Sequence, residues 1–346
     1  MADFSKFKAK CEGFSHKKNG TVCQDSTDAH KSDKIAICVV SDGHGSEKYF
    51  RSDKGSDTAV KVAIEAVKQF DWKQRYNTSD KTKKDVKVEA LSMENYNKLF
   101  NELARYIVAQ WFFAVEAHWK ENTPNEAEQV LFEKHFAGKD VNITKIYGAT
   151  LIIGVMTAHF SFVVQIGDGA AVIIPQNGEA FIPPETVDEN QGAGQTNSLS
   201  SSNCLERFRY YYTEEPLKAI VVTTDGVTDS YGGNDGKDLL RFCEKLVDLH
   251  IEDDKQAKRF LNDWLPRLSE QGSQDDMSVA GIYDASSRVT ESTPDNIAPE
   301  SEIMSAAEPE DKPEPEPEPK SDTESENDNP SEGETVNEKS NTAGVE

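Results

Sequence analysis

The sequence lacks any apolar run near the roughly 20 residues that a membrane-spanning helix needs. Its start, MADFSKFKAKCEGFS, lacks the apolar core of a signal peptide. We therefore expect a soluble, cytoplasmic protein with no membrane partner. Basic residues are also few: 38 lysines and arginines face 62 acidic residues, so the formal net charge is −24. This negative charge disfavours general binding to nucleic acid or anionic lipid.

Cysteine is scarce and carries no recognisable pattern. The five cysteines are scattered and contain no Cys-x-x-Cys pair: Cys11, Cys23, Cys38, Cys204 and Cys243. They predict reduced packing thiols rather than a disulfide framework or a zinc cluster. No arginine stands six positions after any of them, which argues against a phosphate-binding loop built around a cysteine nucleophile.

The acidity is concentrated towards the C-terminus. Residues 285–346 contain 18 acidic residues, four basic residues and no aromatic residue. Such a segment buries too little apolar area to offset its chain entropy. The composition predicts one domain over residues 1–284, followed by a disordered, acidic Pro/Glu/Ser-rich tail over 285–346.

Hydrophobic patterns in the first 284 residues predict an α+β domain. Apolar runs predict strands at 34–41, 149–157, 160–166, 170–175, 218–224 and 277–283. Helical periodicity predicts helices at 56–70, 93–119, 237–249 and 255–268. The strands are grouped, which favours a layered α+β domain over a regular βαβ alternation.

Details at the ends of these elements give further expectations. Ser56 or Asp57 is suited to cap the first helix, and Pro266 leaves the last turn of the fourth helix undecided. The polar stretches 71–90 and 120–145 predict loops. The Gly/Ser/Asn-rich stretch 188–203 predicts a mobile surface loop.

Asp-Gly pairs follow three of the apolar runs, in VVSDG (39–43), VQIGDG (164–169) and VVTTDG (221–226). Two more acids, Asp275 and Asp276, open the run MSVAGIY, and Asp25 follows shortly after His16. One Asp-Gly pair alone is typical of a turn. Carboxylates at several strand ends, however, repel one another unless cations lie between them. Oxygen ligands of this kind suit Mg²⁺ or Mn²⁺.

The ordered motifs resemble a known family. QD, DGHG, GAT followed by IGDGAAV, TTDG and DDMSV are similar to the motifs of the metal-dependent protein phosphatases, the protein phosphatase 2C-like group. GFSHKKNGTVCQD (13–25) resembles the start of the bacterial branch. The resemblance covers about residues 11–284. It implies a four-layer α-β-β-α sandwich, two antiparallel sheets flanked by helices, with two metal ions at one end.

The resemblance also implies the ligands of these two Mg²⁺ or Mn²⁺ ions. Asp42 matches the carboxylate that bridges both ions, and the Gly43 carbonyl would bind the second ion. Asp225 and Asp275 would complete the ligands of the first ion. The family has asparagine where this chain has Asp276, so Asp275 and Asp276 are alternatives for the last ligand.

Three further positions match functional residues of the family. Asp25 would act next to the ligands or through a water, and Asp168 would help Asp225 hold a third, weaker ion. His44 matches the histidine proposed as the general acid. The arginine that anchors the substrate phosphate in many relatives has no clear match, and three residues could substitute for it: His16, Lys17 and Lys18.

The resemblance implies a phosphatase of phosphoserine and phosphothreonine in proteins. A metal-activated water would attack phosphorus in line, without a covalent intermediate. Such an enzyme would oppose a serine/threonine kinase, and we expect a monomer, with 188–203 as a flap beside the substrate. Two alternatives stay open: a two-metal hydrolase of another phosphoester, and a catalytically silent relative that binds partners.

Overall fold

The computed structural model describes residues 3–70, 93–138, 142–187, 196–232 and 236–287. The strands are β1 (Phe4–Cys11), β2 (Ser26–Lys31), β3 (Ile35–Ser41), β4 (Leu151–Thr157), β5 (Ser161–Ile166), β6 (Ala170–Pro175), β7 (Arg209–Thr213), β8 (Leu217–Thr223) and β9 (Met277–Asp284). The helices are α1 (Phe14–Asn19), α2 (Ser52–Gln69), α3 (Met93–Glu121), α4 (Glu126–Phe136), α5 (Cys204–Arg207), α6 (Asp225–Ser230), α7 (Lys237–Glu252) and α8 (Asp254–Gln271). No helix in the described ranges has both the length and the apolar character that a bilayer crossing requires.

These strands form two antiparallel sheets, with the orders β1-β9-β8-β6 and β2-β3-β4-β5-β7. Side chains alternate between two environments along each central strand. On β3, Val39 packs under α2 and α3, whereas Cys38 and Val40 face the other sheet. On β8, Val221 packs under α7 and α8, and Ile220 faces inward. Two sheets therefore pack face to face and each carries a helical layer, which confirms the α-β-β-α sandwich.

The six predicted strands correspond to β3, β4, β5, β6, β8 and β9, but three strands were not predicted. β1 alternates buried Phe7 and Ala9 with exposed lysines and pairs with β9 along its full length. β2 and β7 are also mostly polar or half-buried. Outward polar side chains dilute the hydrophobic pattern at the edges of a sheet, so the sequence alone gave little indication of these strands.

The predicted cap of the first long helix is wrong, and the structure decides the helix end at Pro266 that the sequence left open. α2 begins at Ser52, so Ser56 and Asp57 lie within the helix and do not cap it. The earlier start is favoured by the Ser52 hydroxyl, which donates a hydrogen bond to the His44 carbonyl at 3.0 Å. α8 continues through Pro266 to Gln271. Its buried Leu265 and Leu268 pack against the four-stranded sheet, which outweighs the hydrogen bond lost at proline.

The stretch 120–145 is not only a loop, because it contains the end of α3, all of α4 and a 3₁₀ turn, Ile143–Tyr147. α4 starts at a capping box. The Asn125 side chain accepts a hydrogen bond from the Glu128 amide at 2.9 Å, and Glu128 accepts one from the Asn125 amide at 2.9 Å. Glu128 also pairs with Arg51 on the neighbouring element. Tertiary pairing therefore stabilises a helix with a weak hydrophobic pattern.

The predicted surface loop 188–203 is described only over residues 196–203. Ser198, Leu199 and Ser200 are buried there. Leu199 belongs to the hydrophobic core between the five-stranded sheet and the helices that cover it. The prediction of a surface loop is therefore wrong for these three residues. Residues 188–195 and the predicted loop 71–90 lie outside the described ranges.

Candidate metal centre and active site

Asp42 lies where β3 ends, and its backbone is held by Thr150 of the GAT motif. The Thr150 hydroxyl accepts a hydrogen bond from the Asp42 amide at 2.9 Å, and the Thr150 amide donates to the Asp42 carbonyl at 2.8 Å. These bonds fix the chain direction after the strand. Burial, followed by the charges of Asp225 and Asp25, holds the pKa of Asp42 well above its usual range.

Gly43, the next residue, occupies a position with no space for a side chain. A Cβ atom there would lie 2.7 Å from the Ser52 carbonyl oxygen and 2.8 Å from that of Gln24. The Gly43 amide donates to the Gln24 carbonyl at 3.2 Å. Glycine therefore lets the Asp42 loop pack closely against the QD segment and the start of α2.

Asp25 is 2 % exposed, and one of its oxygens is held from the opposite sheet. The Thr224 hydroxyl donates a hydrogen bond to Asp25 Oδ2 at 2.7 Å. Asp25 Oδ1 is buried without a hydrogen-bond partner. Burial raises the pKa of Asp25 to about 7, and the charge of Asp276 adds to the rise against the opposing effect of the Thr224 bond.

Asp225 begins α6 immediately after β8, so its carboxylate lies at the same end of the sandwich. Its Oδ1 accepts a hydrogen bond from the Gly226 amide at 2.8 Å. Burial raises the pKa of Asp225 to about 8, with further contributions from the charges of Asp168, Asp25 and Asp275. Asp25, Asp168 and Asp275 therefore lie close enough to Asp225 for their charges to act on it.

Asp275 and Asp276 have different environments. Asp276 is 2 % exposed, and its carboxylate accepts hydrogen bonds from the amides of Gly13 and Gln24, each at 2.6 Å. The Asp275 side chain is 55 % exposed, and its Oδ1 accepts from the Asp276 amide at 2.7 Å. Asp276 thus ties the N-terminal motif to β9, whereas Asp275 faces the open end of the site.

Asp168 follows β5 at the edge of the cluster. Its Oδ2 accepts a hydrogen bond from the Thr196 hydroxyl at 2.6 Å, and its buried Oδ1 has no hydrogen-bond partner. Its charge raises the pKa of both Asp225 and His44. Asp168 is therefore close enough to act electrostatically on both Asp225 and His44.

The donor set fits hard divalent cations. Asp25 Oδ1 and Asp168 Oδ1 are buried oxygens that lack hydrogen bonds, and burial, followed by the charges of neighbouring carboxylates, raises the pKa values of Asp25, Asp42 and Asp225. Positive ions would supply the missing partners and remove this repulsion. All of these donors are oxygens, as Mg²⁺ and Mn²⁺ prefer.

His44 packs at the rim of this cluster. Its ring centroid lies 4.7 Å from that of Tyr49, and its backbone carbonyl accepts hydrogen bonds from the Gln24 side chain at 3.2 Å and from Ser52. Burial lowers the pKa of His44 to about 4, and the charge of Asp168 opposes this effect. The imidazole is therefore neutral at pH 7 in the protein alone.

None of the three residues considered for phosphate binding lines the cleft at His44. His16 Nδ1 lies 3.0 Å from Asp276 Oδ2, and His16 Nε2 lies 3.9 Å from Asp275 Oδ1. Lys17 and Lys18 are exposed on α1, with the Lys18 ammonium 4.0 Å from the Phe14 ring centroid. His16 is positioned to orient the DDMSV acids instead.

A cleft of about 630 Å³ opens beside His44. The described residues that line it come from the DGHG segment, α4, the turn before β4 and residues 196–203, and they include Lys48, Lys145 and Ser201. Neither lysine was predicted from the sequence to lie at the site. Lys48 follows His44 by four residues, but an isolated lysine in a turn carries no local signal of its position.

The protein phosphatase 2C family model matches residues 12–266, and the chain belongs to this family. Comparison with curated protein sequences gives no match. Among solved structures, the chain is similar to the catalytic domain of the serine threonine protein phosphatase PstP in complex with 2 manganese ions. The identity is 14 %, with 81 % of this chain and 97 % of that chain covered and a TM-score of 0.43.

Two other solved structures are similar at comparable levels. PppA, a regulatory component of the type VI secretion system in Pseudomonas aeruginosa, is 12 % identical, with 82 % of this chain and 98 % of that chain covered and a TM-score of 0.46. A C. elegans sex determining protein is 13 % identical, with 89 % and 68 % covered and a TM-score of 0.48. The family uses divalent metals such as Mn²⁺ or Mg²⁺.

Proposed function

We propose that this protein is a metal-dependent phosphatase that hydrolyses phosphoserine and phosphothreonine in proteins. Membership of the protein phosphatase 2C family supports a metal-dependent phosphatase. The observation that carries the proposal is the group formed by buried Asp25 and half-buried Asp42 and Asp225, whose pKa values all lie above the usual range. Such a group is stable at neutral pH only when it is protonated or bound to cations.

The same residues that converge would hold two Mg²⁺ or Mn²⁺ ions. Asp42 would contribute to both ions and the Gly43 carbonyl to the second, and Asp225 and Asp275 would complete the ligands of the first. Asp168 would support a third, weaker ion. When bound, the ions supply a water of lowered pKa as the nucleophile and neutralise charge on the phosphoryl oxygens.

The protein side chains would orient and screen this site. The Thr224 hydroxyl holds Asp25 Oδ2, and the Gly13 and Gln24 amides hold Asp276, so the acids keep their positions. His44 lies at the rim, where a departing serine oxygen would collect a proton or where a ligand could be oriented.

Cysteine chemistry is unfavourable here, which supports attack by water. Burial raises the pKa of Cys11 to about 11 and of Cys23 to about 12. Burial also raises the pKa of the thiols of Cys38, Cys204 and Cys243. A protonated thiol is a poor nucleophile, so a covalent intermediate on a cysteine is unfavourable.

The substrate would be a phosphoprotein, and the enzyme would oppose a serine/threonine kinase as a monomer. The test uses purified full-length protein stripped of metal with EDTA. Mn²⁺ is then titrated with a phosphoserine peptide, a small phosphate ester and single-stranded DNA as separate substrates. We expect peptide turnover that rises with Mn²⁺ and no cleavage of DNA.

Asp42→Asn is the decisive variant in this assay. It removes the charge that would bridge the ions, so we expect turnover to fall by at least about 10³-fold while circular dichroism stays unchanged. Asp263→Asn, which neutralises an exposed acid on α8, is the matched control and should keep wild-type turnover. Full activity in excess EDTA, or an active Asp42→Asn enzyme, would contradict the proposal. Turnover of the small ester without peptide turnover would favour another phosphoester as the substrate.

A further inference from the structure

The cleft beside His44 has a charge opposite to that of the chain as a whole. The formal net charge of the protein is −24. Among the described residues that line the cleft, however, none is a carboxylate, and the basic ones are His44, Lys48, His135 and Lys145. Serines and asparagines form most of the remaining wall: Asn142, Ser198, Ser200, Ser201, Ser202 and Asn203. This wall can donate hydrogen bonds to an anion at several points.

The two lysines are available for an external anion. Lys48 and Lys145 are both exposed, and neither forms an ion pair with any residue that the structure describes. The Lys48 ammonium lies 4.7 Å from the Tyr49 ring centroid, and that ring packs against His44. Lys48 is thus positioned next to the histidine at the rim of the acid cluster.

The acid nearest to Lys48 in the sequence is already neutralised by other groups. Glu47 pairs with Lys134 of α4, and His135 Nε2 lies 3.4 Å from the same Glu47 oxygen. Glu47 therefore points towards α4, and its charge does not cancel that of Lys48.

A buried ion pair keeps the wall of the cleft in place. Arg51 is 4 % exposed, and its guanidinium donates to both carboxylate oxygens of Glu128 on α4, at 2.7 and 3.0 Å. The Arg51 amide donates to the Ile146 carbonyl at 3.2 Å, within the turn that carries Lys145. The cleft is therefore a supported feature of the fold rather than a chance depression.

We propose that this cleft binds the residues that flank the phosphorylated side chain, and that Lys48 and Lys145 select substrates with acidic residues there. The inference rests on the proposed phosphatase function. A phosphoryl group at the acid cluster would place its neighbouring residues along the cleft, because the cleft starts at His44. Charge complementarity of this kind contributes more to specificity than to raw affinity.

The electric field of the whole protein acts against this preference for acidic peptides. A net charge of −24 repels an acidic peptide and attracts a basic one at long range. A preference for acidic flanks can therefore arise only from local contacts. Raised salt should weaken it, since exposed charges are screened over about 8–10 Å at physiological ionic strength.

The experiment compares three phosphoserine peptides of equal length with Asp/Glu, Ser/Gly or Lys/Arg flanks, at saturating Mn²⁺. For wild-type protein we expect kcat/KM for the acidic peptide to exceed that for the basic peptide by about tenfold or more. Lys48→Ala and Lys145→Ala should each reduce this ratio, and the double variant should bring it to about one or below. Lys255→Ala removes the same charge from an exposed position on α8 and should keep the wild-type ratio.

The outcomes separate this inference from the proposed function. Turnover without preference for acidic flanks, or a preference that the double variant retains, would overturn the inference and leave the phosphatase function intact. Absence of turnover for all three peptides would instead contradict the phosphatase function. Binding of the same labelled peptides to EDTA-treated protein, followed by fluorescence anisotropy, tests the cleft independently of turnover. Equal dissociation constants there would also overturn the inference.

Discussion

The carboxylates of Asp25 and Asp225 make the stability of this protein depend on pH. In the absence of metal, the folded-state pKa of Asp225 is about 8 and that of Asp25 is about 7, both above the usual value of 3.8. The folded state therefore holds these protons more tightly than the unfolded chain does. Their favourable contribution is complete below about pH 4 and is lost as the pH rises through about 7 to 8.

Asp225→Asn should consequently stabilise the metal-free protein at high pH. At pH 8 in EDTA we expect its free energy of unfolding to exceed that of wild type by on the order of 1–2 kcal/mol, because one repelling charge is removed. At pH 5 the difference should be small. Urea unfolding at both pH values measures this effect, with Asp263→Asn as an exposed control. The same difference at pH 5 and pH 8 would contradict the account.

Metal should reverse this order of stability. The proposed site exists only in the folded state, so saturating Mn²⁺ should raise the Tm of the wild type by several degrees through ligand linkage. Asp225→Asn lacks one proposed ligand and should gain much less. An equal Tm increase for both proteins would show that Mn²⁺ binds elsewhere.

His44 is the residue for which sequence and structure leave two roles. A general acid must be protonated, and burial lowers the pKa of His44 to about 4, so the protein alone supplies a neutral imidazole at pH 7. The dianionic phosphate of a bound substrate would have to raise this pKa before His44 could donate a proton. A neutral imidazole can orient neighbouring groups without such a change.

His44→Gln distinguishes the two roles through the leaving group. A serine alkoxide needs protonation, so loss of a general acid should slow phosphoserine peptide hydrolysis by about 10²–10⁴-fold. p-Nitrophenolate leaves with a pKa near 7 and needs little help, so that substrate should be slowed far less. The measurement is kcat for both substrates across a Mn²⁺ titration. Equal losses would leave His44 as an orienting residue.

At the scale of residues, the sequence indicated acids that the structure places near one another but not the groups that hold them. Asp25, Asp42 and Asp225 follow recognisable motifs, and the structure brings them together. The groups that hold them have no local signal: the Thr224 hydroxyl and the Gln24 amide bond to acids 199 and 252 residues away. Such pairings depend on how the two sheets pack, which a residue's sequence neighbours do not specify.

At the scale of elements, the core strands were predictable because both of their faces are buried. β3, β4 and β8 lie between a helical layer and the opposite sheet, so they are apolar over most of their length. The edge strand β1 and the helix α4 expose one face to solvent. They are specified by pairing with distant residues, β9 for the strand and Arg51 for the helix.

The Arg51–Glu128 pair should therefore be important for α4. Glu128 accepts from Arg51 and from the Asn125 amide, and Arg51 also donates to the Tyr147 hydroxyl at 3.1 Å. Glu128→Ala should lower the free energy of unfolding by about 2–3 kcal/mol, because it leaves a buried guanidinium unpaired and removes a cap. Urea unfolding in EDTA measures this loss.

Glu133→Ala provides the comparison within the same helix. Glu133 is exposed, so its replacement should change stability by less than about 0.5 kcal/mol. Equal losses for the two variants would mean that Glu128 acts only through general helix charge. Restoration of stability in the double variant Arg51→Met/Glu128→Leu would support an unpaired buried charge as the main cost.

At the scale of the whole molecule, the charge is divided unevenly along the chain. Residues 285–346 contribute −14 of the net charge of −24, which leaves −10 for residues 1–284. The last described strand is complete before the acidic segment: the Asp3 amide donates to the Asp284 side chain at 3.0 Å, and the Ala285 amide donates to the Asp3 carbonyl at 2.8 Å. Residues 288–346 lie outside the described ranges, so their disorder remains a prediction. Sharp, dispersed amide signals from this segment in NMR spectra would contradict it.

Truncation after Ser287 should separate the folded domain from the effects of this charge. Because β9 is fully paired before the cut, we expect Tm and kcat to stay close to those of the full chain.

Two electrostatic effects of the acidic segment would still be detectable at low salt. Competition for cations predicts that truncation lowers the Mn²⁺ concentration for half-maximal activity, and competition for Lys48 and Lys145 predicts a lower KM for the acid-flanked peptide. Both differences should disappear near 1 M salt, where charges are screened over about 3 Å. If neither the Mn²⁺ concentration for half-maximal activity nor the KM changes at low salt, the segment acts on a separate, basic partner or not at all. A large fall in Tm on truncation would instead show that the segment is part of the folded domain.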